Sequence, residues 1–224
     1  MDNDDQKSGA GFVAVSYSNE RLLYSEEILE DAKRAYHALK GVGVKMNALI
    51  DLQVICVAGG KVDDFLAICM EALKDERMSQ ARPDILYRMG SACQEVGRDE
   101  EALEHYLASA EFDTGVNEVR YMRLAKAAFC YLLKAEPLKA RELCKSAIVI
   151  DPEHWVAWKN LAMALEALDE PGEAANCYAR AIKLSNANII PIIHIRELVK
   201  KRSERIRNLA GIRDELMEKH GVMV

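Results

Sequence analysis

The sequence predicts an all-α protein built as a solenoid of repeated helix pairs. Residues that favour helices, chiefly Ala, Leu, Glu, Lys and Arg, are frequent in the 224-residue chain, which contains only 4 Phe and 5 Pro. Two stretches, "KAEPLKARELCKSAIVIDPE" and "LDEPGEAANCYARAIKLSNA", also match each other at a constant offset of 34 residues. A constant period of this length, with each unit formed by two amphipathic helices, is typical of a solenoid whose units bury their faces against one another.

Composition and charge exclude several other classes of protein. The chain is 50% hydrophobic and 29% charged, which is ordinary globular usage. Its net charge of -6 argues against a protein that coats nucleic acid. The acidic start, "MDNDDQKSGAGF", differs from a secretory signal, and no segment reaches the about 18 apolar residues that span a bilayer. We therefore expect a cytoplasmic protein.

The six cysteines favour a reducing compartment. They form no C-x-x-C pair and lie inside apolar helical patterns. Free thiols buried in the core explain this arrangement better than disulfides.

The clearest repeat unit spans 155–188. Its key positions are Trp158, Leu161, Ala162, Leu165, Ala174, Tyr178 and Ala181, followed by Asn186. This order of small and large residues resembles the tetratricopeptide repeat, in which Pro is usual where Asn186 stands. The resemblance implies a right-handed superhelix of helix-turn-helix units whose first helices line a concave groove.

Three further units precede this one. The units over 121–154 and 83–116 keep the same order of small and large residues. Four extra residues, "NEVR", lie between these two units and predict a longer turn or a longer next helix. The unit over 45–78 is degenerate, because Gln53 and Phe65 stand where small residues are expected.

Small residues on the two helices of each unit predict close packing. Gly90 on a first helix has Ala equivalents in the next two units, and Tyr106 and Tyr178 on second helices provide large side chains that fill the space between units. Pro137 and Pro171 are expected to begin second helices, because the first turn of a helix can lack an N–H.

The segments outside the repeats are expected to be end pieces. Residues 1–20 are predicted to be a mobile tail, and 21–44 an N-terminal cap helix that starts after Ser25. A single long basic cap helix, beginning at Pro191, is predicted within 189–224. Solenoids need such pieces to cover their last exposed interfaces.

The resemblance also implies which side chains face the groove. They are Tyr87, Arg88, Ser91, Glu95, Met122, Lys126, Phe129, Leu133, Lys159, Asn160, Met163 and Ala167. Arg88, Lys126 and Asn160 stand at equivalent places in three units, which predicts a ladder of donors for carboxylates or carbonyls. The apolar residues would form a floor in the middle of the groove: Met122, Phe129, Leu133 and Met163. The alternative is that each position is simply solvated or packs between repeats. Only Lys159 and Asn160 partly match the clamp with which some relatives grip a C-terminal carboxylate, so binding of heat-shock-protein tails is not supported.

Nothing in the sequence indicates catalysis. The five histidines show no metal-ligand spacing, no phosphate-binding loop is complete, and the acidic clusters lie in the first turns of predicted helices. We therefore predict a non-enzymatic protein with neither cofactor nor metal.

The predicted function is a protein–protein interaction module, acting as adaptor, scaffold or assembly chaperone by holding a partner peptide or helix in the groove. Two alternatives remain open. One is a structural scaffold that assembles with itself, because the chain has an acidic start and a basic C-terminal helix. The other is a chaperone of the type used by bacterial secretion systems, which rests on size and repeat number alone.

Overall fold

The computed structural model describes residues 25–112, 117–186 and 188–224, which form eleven α-helices and no strand. The helices are α1 (Glu26–Ala38), α2 (Val42–Ala58), α3 (Val62–Lys74), α4 (Arg82–Glu95), α5 (Asp99–Ala110), α6 (Asn117–Leu133), α7 (Pro137–Ile150), α8 (Trp155–Ala167), α9 (Pro171–Leu184), α10 (Ile189–Arg202) and α11 (Leu209–His220). The all-α prediction is confirmed. The tail predicted over 1–20 lies outside the described residues. Within the described ranges, none of the helices combines the length and apolar character that crossing a membrane requires.

The same left-handed turn joins the two helices of four successive pairs. The second residue after each first helix has a positive φ: Gly60 (68°), Gly97 (77°), Ala135 (56°) and Asp169 (62°). The N–H of the following residue then donates to the carbonyl five residues earlier, as from Arg98 to Cys93 at 2.9 Å and from Glu136 to Tyr131 at 2.9 Å. This bond is typical of a Schellman cap and gives each second helix the same starting geometry. Pro137 and Pro171 begin second helices, as predicted.

Close packing within a unit depends on Gly90. A Cβ atom added there would lie 2.8 Å from the ring of Tyr106 and 3.1 Å from the carbonyl oxygen of Ala102. The equivalents of Gly90 in the next two units, Ala128 and Ala162, are fully buried. The predicted role of small residues at these positions is therefore confirmed.

All six cysteines are buried free thiols, as expected from the sequence. Burial raises the pKa of Cys56, Cys93 and Cys130 to about 11. These thiols pack as small apolar side chains among neighbouring helices.

The departures from the repeat pattern have separate consequences. The extra residues "NEVR" belong to α6, which has 17 residues, whereas α4 has 14 and α8 has 13. The insertion therefore lengthens the following helix, one of the two outcomes predicted. In the degenerate unit, Gln53 on α2 and Phe65 on α3 are both buried, so larger side chains fill this first interface.

The first end piece begins where the sequence indicated. The hydroxyl of Ser25 accepts the N–H of Ile28 at 3.2 Å and caps α1. Lys33 on α1 donates to Asp64 on α3 at 2.9 Å, which joins the end helix to the first pair. Because α1 ends at Ala38 and α2 begins at Val42, the cap is shorter than the range 21–44 predicted for it.

The prediction of one long C-terminal helix is wrong. The chain leaves α10 at Arg202, passes through a 3₁₀ turn at Ser203–Arg205, and starts α11 after Asn208, which has a φ of 60°. Arg205 holds this turn by donating to Asp169 in the turn between α8 and α9. The sequence gives no Pro or Gly signal for the break.

The two C-terminal helices keep the register of the repeat but both pack on α9 rather than closely on each other. At the 34-residue offset, Leu161, Leu165, Tyr178 and Ile182 correspond to Ile195, Val199, Ile212 and Leu216, all of which are buried. The small residues that allow close packing are missing, however, because Arg196 replaces Ala162 and Asn208 replaces Ala174. The chain after α11 packs into the resulting space through buried Val222, and Arg196 donates to the carbonyl of Met223 at 2.8 Å.

Candidate functional site

The first helices α4, α6 and α8 carry the side chains that the sequence placed in a groove. In the α4 part, Ser91 donates to Glu95 at 3.2 Å, and Gln53 of α2 donates to the same carboxylate at 3.1 Å. The Arg88 Nη1 lies 3.4 Å from the side-chain oxygen of Gln53. Burial lowers the pKa of Arg88. This part of the site is thus an internally bonded polar cluster whose exposed charge is the Glu95 carboxylate.

Lys126 on α6 contacts the preceding unit through an amide. Its Nζ donates to the side-chain oxygen of Gln94 at 3.2 Å, and the hydroxyl of Tyr106 donates to the same oxygen at 3.2 Å. Among the described residues, no carboxylate forms an ion pair with Lys126. Its positive charge is therefore hydrogen-bonded but not neutralised.

Lys159 on α8 provides a second cation beside the first. Its Nζ lies 5.2 Å from the centre of the Phe129 ring, a distance at which the ring face attracts a cation. Burial lowers the pKa of Lys159, and the positive charge of Lys126 lowers it further. Within the described part of the chain no acidic group pairs with Lys159. Two partly buried lysines therefore share one region of positive potential.

Asn160, the third member of the predicted donor ladder, is not available to a partner. Its side chain is 1% exposed, and its amide nitrogen donates to the backbone carbonyl of Ala125 at 2.8 Å. Position 160 therefore joins α8 to α6. The three residues of the ladder do occupy equivalent places, but each one donates towards the preceding first helix.

The apolar residues proposed for the groove floor differ in exposure. Leu133 is 50% exposed, whereas Phe129, Met122 and Met163 are half-buried. Met163 packs against the core cluster around α8 and α9. Tyr87 is half-buried with its ring tilted on that of Tyr106, 5.5 Å between centres. The most accessible apolar side chain is therefore Leu133, and the half-buried ring of Phe129 lies beside Lys159.

His194 on α10 occupies the same position in its helix as Arg88, Lys126 and Asn160 do in theirs, although it was not among the predicted groove residues. Its ring stacks on Tyr178 at 5.6 Å between centres, and burial followed by the charge of Lys159 lowers its pKa. One further step of 34 residues from Asn160 leads to His194, so the repeat period itself provided the missing signal. The prediction of a cap helix over this segment hid the equivalence of His194 with Asn160.

The described residues contain no group of three or more His, Cys, Asp or Glu side chains arranged to hold a metal ion. The side chains of this site are suited to binding a ligand. They are the cations Lys126 and Lys159, the Glu95 carboxylate on α4, and the apolar surface of α6.

The row of helix pairs and the first-helix surface define an α-solenoid of the tetratricopeptide repeat type. The family's sequence model, "Tetratricopeptide repeat", matches residues 157–188, within the unit predicted over 155–188. One repeat of this family is therefore recognised in the sequence, and the chain has the fold of a tetratricopeptide repeat solenoid. No curated protein matches it.

Solved structures show the same right-handed fold at low sequence identity. PilF of Pseudomonas aeruginosa is 18% identical with a TM-score of 0.59, and the match covers 87% of this chain and 86% of that one. MamA from Desulfovibrio magneticus RS-1 is 16% identical with a TM-score of 0.57, covering 77% and 93%. The first repeat domain of Spaghetti (RPAP3), bound to the HSP90 peptide SRMEEVD, is 18% identical with a TM-score of 0.50, covering 55% and 95%.

Proposed function

We propose that this protein is an interaction module that binds a partner peptide along α4, α6 and α8, with an acidic group of the partner between Lys126 and Lys159. The observation that supports this most strongly is the lysine pair, because two neighbouring cations lack carboxylate partners among the described residues. A bound carboxylate would offset both their repulsion and the cost of burying Lys159. The peptide held by the RPAP3 structure is an example of a ligand on this fold.

The other features of the surface define the rest of the ligand. Phe129 and Leu133 suit an apolar side chain next to the acidic group, and Glu95 suits a donor or a basic residue towards the α2 end. We therefore expect a segment with a basic or polar start, an apolar centre and an acidic end. The module would serve as adaptor, scaffold or assembly chaperone for the protein that carries such a segment.

The experiment is a selection of random displayed peptides against the full chain, followed by affinity measurements with the synthetic consensus peptide. The variant Lys126→Ala/Lys159→Ala is expected to weaken binding at least about tenfold, since one hydrogen bond to a charged group contributes about 1.5–3 kcal/mol. Lys145→Ala on α7 is the matched control, because Lys145 is exposed and belongs to a second helix. A consensus without acidic residues, or an equal loss of affinity in the control, would refute the proposal.

A further inference from the structure

The C-terminal end of the solenoid carries a cluster of exposed apolar side chains. On α10, Ile195 and Val199 face the core, while the opposite side and the neighbouring α11 and tail expose large residues. The exposed fractions are 61% for Ile189, 45% for Ile190, 52% for Ile193, 49% for Met217 and 68% for Met223. Such a concentration of apolar surface at one end indicates an interaction surface. We call it the last-end patch.

Positive charge adjoins the last-end patch. Ile189, Ile193, Arg196 and Lys200 follow one another at helical spacing and form one stripe along α10. The Arg196 Nε is bonded to a neutral carbonyl, and no carboxylate within the described ranges forms an ion pair with Arg196 or Lys200. A surface that packs on the patch therefore needs acidic groups beside apolar ones.

The other end of the same chain has these properties. Leu29 and Tyr36 turn one side of α1 inwards, and the opposite side exposes Glu27, Asp31 and Ala35, with Ile28 at its edge, 41% exposed. Four acidic residues, at positions 26, 27, 30 and 31, lie in the first two turns of α1. Of the two basic residues that follow, Lys33 is engaged by Asp64 and Glu30, and Arg34 forms an ion pair with Asp31. Glu26 pairs with Lys61, so Glu27 is the carboxylate of this group that forms no ion pair within the described residues. We call this acidic surface the first-end face.

We propose that copies of this chain associate head to tail, with the first-end face of one copy packed on the last-end patch of the next. Glu27 would lie beside Arg196 and Lys200, Asp31 would exchange its partner Arg34 for one of these two cations, and Ile28 would lie against the isoleucines of α10. Because the two surfaces differ, each dimer keeps one free surface of each kind. Further copies therefore add as the protein concentration rises, unless the assembly closes into a ring. Neither surface includes Lys126 or Lys159, so this proposal goes beyond the proposed function without depending on it.

The experiment measures the mass of the full chain by sedimentation over an approximately hundredfold range of concentration. The wild-type chain is expected to exceed dimer mass, and to shift towards monomer in high salt because exposed charges are screened. Ile193→Asp blocks the last-end patch and Glu27→Lys/Asp31→Lys blocks the first-end face, so each variant alone should be monomeric. An equal mixture of the two should form dimers and nothing larger, since one intact surface of each kind remains.

Two controls separate this contact from others. Val149→Asp, at an 84% exposed position on α7, should assemble like the wild type. The groove variant Lys126→Ala/Lys159→Ala should also assemble normally. A monomeric wild-type chain at every concentration would overturn the proposal. So would self-association of Glu27→Lys/Asp31→Lys, which would show that two last ends pair with each other. Circular dichroism checks that each variant is folded, and all substituted positions used at the two ends are exposed.

Discussion

Replacing Gly90 by alanine tests the packing within a repeat unit most directly. The added methyl group would lie 2.8 Å from two ring carbons of Tyr106, where ordinary van der Waals contact begins near 3.4 Å. The ring has little room to move, because Tyr106 is fully buried, its hydroxyl donates to Gln94 at 3.2 Å, and it contacts Tyr87. A shift of the ring would therefore strain that hydrogen bond as well.

The magnitude follows from two opposing effects. Overpacking of a core costs about 1–3 kcal/mol, whereas replacing glycine by alanine inside a helix gains about 1 kcal/mol. We expect a net loss of about 0–2 kcal/mol in the free energy of unfolding, and a loss of about 1–3 kcal/mol relative to a glycine-to-alanine change that causes no overpacking. With a denaturant dependence of about 2 kcal/mol per molar urea, the midpoint should lie about 0.5–1.5 M below that of such a control.

Urea titration followed by circular dichroism measures this midpoint. The matched control is Gly43→Ala, the same change in a helix where a new Cβ would meet no atom within 4 Å. The control has only the helix-propensity gain, so its midpoint should stay level or rise. If Gly90→Ala were as stable as Gly43→Ala, the close approach of Tyr106 to position 90 would not be the constraint inferred from the structure.

Four other predictions can be checked in the same way. Ala135→Gly should raise stability by about 1 kcal/mol, because Ala135 has a φ of 56° that glycine adopts without strain. Asn160→Ala should lower stability by about 1 kcal/mol while peptide affinity stays unchanged, since it removes the side-chain hydrogen bond from α8 to the Ala125 carbonyl on α6. The six thiols should react with a thiol reagent only after unfolding, because all are buried and burial raises their pKa. His194→Gln should reduce the loss of stability between about pH 7.5 and about pH 5.5. Burial and the charge of Lys159 lower the pKa of His194, so the unfolded chain binds the proton more tightly and stability falls as pH drops through the ordinary value of about 6.5. Urea midpoints at both pH values measure the difference.

The repeat pattern could be predicted from sequence because each unit uses the same local chemistry. The 34-residue offset, Gly90 and its alanine equivalents, and the helix-starting prolines all act within one unit or between neighbours. The left-handed turns between helices could be predicted from the sequence only in part. Gly97 indicates such a turn. Ala135 and Asp169 have the same positive φ at equivalent places, although neither residue type predicts it there.

The site was predicted less well because spacing does not determine burial. Asn160 lies on the predicted helix, yet it is used to bond α8 to α6. Arg123, next to a predicted groove residue, is 1% exposed and donates to Asp84 on α4 at 2.8 Å. Periodicity places a polar residue on a helix face, but the neighbouring unit decides whether that residue meets solvent or a buried acceptor.

The C-terminal error has a related cause. Apolar residues at regular spacing from Ile192 to Leu216 fit one helix as well as two, since the break at 203–208 falls between charged residues. What distinguishes a helix pair from a single helix is the larger period of 34 residues. The missing small residues at Arg196 and Asn208 obscure that period, and they also separate α10 from α11 and leave apolar residues exposed at the end.

The predicted groove residues fall into two groups that differ in how their side-chain donors are used. Asn160 and Arg88 direct their donors to neighbouring helices and so stiffen the surface, whereas Lys126 and Lys159 remain without carboxylates among the described residues. The lowered pKa of Lys159 means that the folded chain bears a cost for its charge at neutral pH, and that this cost disappears only when the lysine loses its proton at higher pH. A partner carboxylate would remove the same cost at neutral pH. The ligand carboxylate proposed for this site would thus recover free energy that the isolated chain loses at Lys159.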